Sequence, residues 1–146
     1  MLTHVEISSS PIDLTLASAK LNNQQHGGVN IFIGRVREYN LGRQVIGVEY
    51  EVFKPLALTI LNDLCSEIRK TISDDVDICI IHARGYLRVG DISVIIAVSS
   101  THRNEAFVVC RQLIEKIKHY VPIWKQEHYI DGKSEWVKGH SLCQHG

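Results

Sequence analysis

The sequence has no surplus of charge of either sign: sixteen basic residues balance sixteen acidic ones in 146. That balance argues against a general nucleic-acid binder, and it directs attention to where positive charge gathers locally. No apolar run approaches the ~20 residues that span a bilayer. Residues 1–10 lack the basic-then-apolar pattern of a secretory signal. Cys65, Cys79, Cys110 and Cys143 form no C-x-x-C pair, and their wide spacing suits neither a zinc site nor a disulfide framework. The expectation is a cytoplasmic protein with reduced thiols, no bound metal and no membrane segment. Cys65 and Cys110, which fall in helical apolar patterns, then serve as core filler. A Walker loop, a G-x-G-x-x-G and an H-E-x-x-H are also missing. Ser99 and Ser100 lie outside any G-x-S-x-G context, so no catalytic triad emerges.

What is present is a chain of 45% hydrophobic and 22% charged residues, which reads as globular. Its length fits one domain over residues 1–146. Residues 2–8 alternate as a short strand. Ser10-Pro11 predicts a helix start, with serine as N-cap and proline at the first position, running to Leu21. Residues 29–36 read as a strand in which Gly34 marks a bulge or a close backbone approach. A polar loop over 37–44 follows, with Asn40 and Gly42 as turn formers, and residues 45–53 are expected as its antiparallel return strand. Pro55 opens a second helix, to about Ile72, with Leu56, Ile60, Leu64 and Ile68 as its buried stripe.

Residues 76–82 form the next strand, 85–91 turn, and 92–100 return as its partner, apolar enough to be buried on both sides. A third helix begins between Thr101 and Asn104 and buries Ala106, Cys110, Leu113 and Ile117. Two short strands then flank Asp131-Gly132, a strong hairpin signal. The order β-α-β-β-α-β-β-α-β-β predicts an α+β fold: a mostly antiparallel sheet with helices packed on one face, of ferredoxin-like or α/β-hammerhead type, ending in a C-terminal β-hairpin.

Polar clusters fall at element ends, where a rigid scaffold can position them. Arg35 and Arg37 share one face of a strand end, fit either to clamp a phosphate or to sit solvated on an edge. Thr101-His102-Arg103 opens the third helix, as an anion site or as plain capping by Thr101. Lys118 lies on that helix's last turn, where the dipole favours a cation in any case. Lys125 follows Pro122 on the strand leaving the helix, so the two lysines can converge on one pocket. Among other cations a lysine becomes a nucleophile or proton-transfer group. Trp124 reads either as a wall for a flat ligand or as core. Residue chemistry alone thus gives an anion-binding pocket holding candidate lysines.

Five segments carry a more specific signal. They are F-I-G-R-V-R with N-L-G within 32–42, V-E-Y-E at 48–51, G-Y-L-R-V-G-D at 85–91, V-S-S-T-H-R-N-E-A-F at 98–107 and K-H-Y-V-P-I-W-K-Q-E at 118–127. In this order and spacing the chain resembles the MoaE family, the catalytic large subunits of molybdopterin synthase, from Gly27-Gly28 to Trp136-Val137. The resemblance implies a sulfur transferase that builds the dithiolene of molybdopterin on cyclic pyranopterin monophosphate. It implies no bound cofactor. The sulfur comes from a thiocarboxylate on the C-terminal glycine of a small ubiquitin-like subunit, and a homodimer of large subunits sits within a heterotetramer. Carried over by position, Lys118 and Lys125 are the catalytic lysines. Arg35, Val36, Arg37, His102, Arg103, Gln126 and Glu127 contact the substrate, and Phe32 and His140 wall the pocket.

Three positions depart from the family pattern: His82-Ala83-Arg84-Gly85 in place of H-R-x-G, Leu56 where methionine is common, and His140 where relatives carry arginine. Two readings from other classes compete, a non-catalytic module docking a ubiquitin-like tail and a small nucleic-acid-binding domain. The latter predicts steeply salt-dependent affinity.

Overall fold

The computed structural model describes residues 1–9 and 11–138. The expected Ser10 cap, the His140 wall position and Cys143 fall outside them. In chain order the elements are β1 (Thr3–Ser8), α1 (Leu14–Ala19), β2 (Gly28–Arg35), β3 (Tyr39–Asn40), β4 (Arg43–Val52), α2 (Lys54–Thr71) and β5 (Val76–Ala83). β6 (Gly85–Arg88), β7 (Ile92–Ser100), α3 (Arg103–Tyr120), β8 (Ile123–Tyr129), β9 (Gly132–Lys133) and β10 (Val137–Lys138) complete them.

The α+β class stands, and the strands divide into two sheets. One runs β1-β5-β7-β2, antiparallel apart from the parallel β1–β5 pair. The other runs β10-β8-β4-β3, with β6 also on β4 and β9 on β8. Alternation on β5 and β7 explains their unbroken apolar character. Ile78, Ile80, Ile96 and Val98 face α2 and α3, while Cys79, Ile81, Ile95 and Ala97 face Ala17 of α1 on the opposite side. Both faces are covered, as a continuous apolar run requires. Burial pushes the thiols of Cys65, Cys79 and Cys110 up to about 11, so they stay protonated and act as small hydrophobes.

Five sequence expectations are corrected. α1 starts at Leu14, where the Asp13 carboxylate accepts from the Thr15 amide as N-cap, and it ends at Ala19. The α2 stripe is Ala57, Leu61, Leu64, Cys65 and Ile68, and Leu56 is exposed. The reason is geometric: strict i+4 steps advance about 40° each around a helix, so Leu56 ends roughly 120° from Ile68. The N-cap position of α3 is His102, not Thr101, and its side chain makes no capping hydrogen bond.

Residues 85–88 are a strand against β4, with Tyr50 opposite Gly85, and only the Gly90 corner turns. β4 is not the return partner of β2, which pairs instead with β7. Alternation fixes a strand's faces but not its neighbour. β4 pairs instead with β3, across Leu41 (φ 54°) and Gly42 (φ 74°). Left-handed backbone at both central residues is the type I′ pattern that suits two-residue hairpins.

Candidate active site

Where α3 ends, the two sheets leave a cavity of about 560 Å³ between them. Helix and strand meet there because Pro122 cannot continue α3. Val121 is already extended, and β8 begins two residues later. Lys118, on the last turn of α3, and Lys125, on β8, therefore line the same cavity. Arg35 and Arg37 border it from the end of β2, where the register shifts at Gly34/Arg35. A Cβ at Gly34 would meet Val94 Cγ1 at 2.7 Å, so glycine permits the close approach of β2 and β7 at this point. Phe32, Ile114 and Ile117 supply apolar wall, while Tyr50, His82 and Ser93 form a polar floor.

The charges are held unequally. Lys125 Nζ lies 2.5 Å from Glu127 Oε1, and both side chains are largely buried. Among the described residues no carboxylate pairs with Lys118. Arg37 Nη2 donates to Asn40 Oδ1 at 3.5 Å, and Asn40 Nδ2 donates to the Tyr129 hydroxyl at 2.9 Å, so the β3 loop steadies the arginine. The floor is neutral. Burial drives the His82 pKa down to about 4, and burial also raises that of Tyr50, keeping the phenol protonated. A neutral floor beneath a cationic rim can take a flat polar ring with an anionic substituent.

Several sequence-predicted positions lie elsewhere. Val36 is buried in the small core with Val45, Val48 and Leu87, because alternation turns it away from Arg35 and Arg37. Gln126 is turned the same way between Lys125 and Glu127, and its Nε2 donates to the Ser134 carbonyl. Neither side chain lines the cavity. Trp124 faces a second cleft with Glu51, Phe53 and Arg84, and Arg84 pairs with Glu51 at 3.4 Å. His102 and Arg103 stand at the start of α3, roughly 22 Å from Lys118 at 1.5 Å per residue. One copy of the chain does not bring them to the cavity.

Conversely, Tyr50, His82, Ser93 and Tyr129 line it without having been singled out. On the sequence they read as inward positions of alternating strands. Only the offset between the two sheets turns them from core into floor. Among the described residues no group of three or more His, Cys, Asp or Glu side chains is placed to hold a metal ion, and no helix is long and apolar enough to cross a membrane.

Comparison with known proteins agrees with the motif evidence. The chain is 43% identical over 140 residues to the molybdopterin synthase catalytic subunit of Synechococcus elongatus, covering 96% of this chain and 85% of that one. It is 36% identical over 132 residues to the corresponding subunit of Bacillus subtilis, covering 90% and 83%. The crystal structure of molybdopterin synthase from Staphylococcus aureus superposes with a TM-score of 0.87 at 36% identity, over 94% of this chain and 98% of that one. The profile described as MoaE protein matches residues 7–120, and with it the chain belongs to the MoaE family.

Proposed function

We propose that this chain is the catalytic subunit of molybdopterin synthase and that sulfur insertion into cyclic pyranopterin monophosphate takes place in the cavity at the end of α3. The observation that carries this reading is the convergence of Lys118, Lys125, Arg35 and Arg37 on one cavity walled by Phe32. The substrate bears a phosphate, and the sulfur donor is a thiocarboxylate on the C-terminal glycine of a small ubiquitin-like subunit. Two anions must therefore approach one another. Fixed cations offset that repulsion and stabilise negative charge developing on oxygen.

Among the described residues Lys118 has no carboxylate partner, which suits it to hold the incoming tail and assist proton transfer. Lys125 is pinned by Glu127 and contributes a fixed charge. Arg35 and Arg37 take the phosphate, since guanidinium forks match phosphate oxygens. Val36 and Gln126 support the site from behind. The substrate brings the pterin and the partner brings the sulfur, so the chain needs no resident cofactor. His102 and Arg103 act on substrate only if a second copy presents them, which suits a homodimer at the centre of a heterotetramer. The buried free thiols suit the cytoplasm.

The test is a single-turnover assay with the chain, a thiocarboxylated small subunit and cyclic pyranopterin monophosphate. Dithiolene product that disappears in Lys118→Ala, while the complex still forms, is the expected result. Full activity in that variant removes Lys118 from its role. A wild-type complex that is stable and yields no product makes the chain a docking module.

A further inference from the structure

His82 is unusual among the groups facing the cavity. It lies on β5, opposite Val94 of β7, and it is 7% exposed. Its Nδ1 stands 2.7 Å from the Ala83 carbonyl oxygen. A carbonyl only accepts, so Nδ1 carries the proton and donates it. In the neutral ring Nε2 then holds a lone pair. Among the described residues no protein group donates to that nitrogen. Its nearest aromatic neighbour, Tyr50, meets the imidazole edge to face with centroids 5.1 Å apart. The nitrogen is not sealed in the core, where among the described residues His128 Nε2 is the buried side-chain nitrogen without a partner. The His82 side chain lines the cavity of about 560 Å³, so its free lone pair is within reach of a ligand there.

We propose that His82 Nε2 is a specificity-determining acceptor that receives a hydrogen bond from an N–H on the edge of the substrate's heterocycle. The inference rests on the cavity being the pterin site. The rim and floor then divide the recognition. Arg35, Arg37 and Lys118 attract the anionic substituent, which any phosphate shares. His82 reads a feature that a phosphate alone lacks, and a reduced pterin offers several ring and exocyclic N–H donors. A lysine or arginine at position 82 would add charge without an acceptor, and an apolar residue would leave the ligand's N–H without this acceptor. Burial keeps the imidazole neutral near pH 7, so the acceptor is present at working pH.

The wild-type protein provides the first test. The chain is assembled with its small subunit ending in an ordinary carboxylate, which cannot turn over, and is titrated with cyclic pyranopterin monophosphate. The imidazole nitrogens are followed by ¹⁵N NMR. Binding is expected to shift the Nε2 resonance of His82 and leave Nδ1 nearly in place. Binding that leaves Nε2 unmoved overturns the assignment to His82 alone. A complex that fails to bind the pterin overturns the reading of the cavity itself.

Variants provide the second test. His82→Phe should weaken pterin affinity roughly tenfold to a hundredfold, the usual effect of leaving one buried polar group unpaired. Its affinity for inorganic phosphate and for the small subunit should be unchanged, and His82→Gln should regain part of the loss. Wild-type pterin affinity in a folded His82→Phe protein would also overturn the proposal.

Discussion

Lys118 and Lys125 face one cavity but differ in what their removal leaves behind. Lys125 neutralises Glu127, which is 5% exposed, whereas Lys118 neutralises no carboxylate among the described residues. Truncating one partner of a buried ion pair strands the other charge in a poorly solvated place, at a cost of roughly 3 kcal/mol. Lys125→Ala is therefore expected to lower the thermal midpoint by about 10 °C, while Lys118→Ala leaves it within about 2 °C. Calorimetry on both variants checks this. Equal midpoints would mean that the Lys125–Glu127 pair contributes nothing in solution. Replacing both partners, Lys125→Met with Glu127→Leu, should recover most of the stability without restoring activity, because no charge is left stranded.

At the scale of elements, the far end of the first sheet is tied together as tightly as the cavity end is open. Gly28 begins β2 opposite Ser100, and a Cβ there would meet Arg103 Cα at 2.9 Å and its amide nitrogen at 3.0 Å. Both contacts are backbone, so no side-chain rotation relieves them. Gly28→Ala should cost about 1–3 kcal/mol by overpacking. Urea unfolding with an unchanged slope is the measurement, and a loss below about 0.5 kcal/mol would show that β2 and α3 separate easily.

The same end holds a Ser-His-Asp arrangement. His26 Nδ1 lies 2.7 Å from Ser99 Oγ, its Nε2 lies 3.1 Å from Asp75 Oδ1, and the Thr101 amide donates to Asp75 Oδ2 at 3.0 Å. Ser99 is 1% exposed, too buried to reach a substrate. The network anchors the segment leading to His102 and Arg103 rather than performing hydrolysis.

At the scale of the whole molecule, the buried His82 makes folding stability depend on pH. Its folded pKa of about 4 lies below the 6.5 of an exposed imidazole. Above pH 6.5 neither state binds the proton, so the histidine imposes no penalty. Between 6.5 and 4 the unfolded chain takes up a proton that the folded one refuses, and stability falls as pH falls. Below 4 both states are protonated and the loss stops. The full effect is about 3 kcal/mol. Urea titrations at pH 7.5, 5.5 and 4.5 measure it, and His82→Gln should flatten this part of the profile. An unaltered slope in that variant would place the titrating group elsewhere.

Local signals determined a good deal from the sequence alone. Pro122 stops α3 and launches β8, so Lys118 and Lys125 were legible as a converging pair. Ala106, Cys110, Leu113 and Ile117 were legible as a buried stripe because their spacing follows the helix turn. Five ordered motifs were enough to identify the family. Strand pairing was not legible, because alternation tells which side chains share a face and says nothing about which strand lies alongside. Hence β4 appeared as the partner of β2, and the division into two sheets stayed hidden. The tertiary structure alone decided that Tyr50, His82 and Ser93 form a neutral floor, since each is an ordinary inward-facing strand position until two sheets part above it. It also decided that His102 and Arg103 stand a helix length away from the lysines, because the same rigid α3 that presents Lys118 at one end holds them at the other.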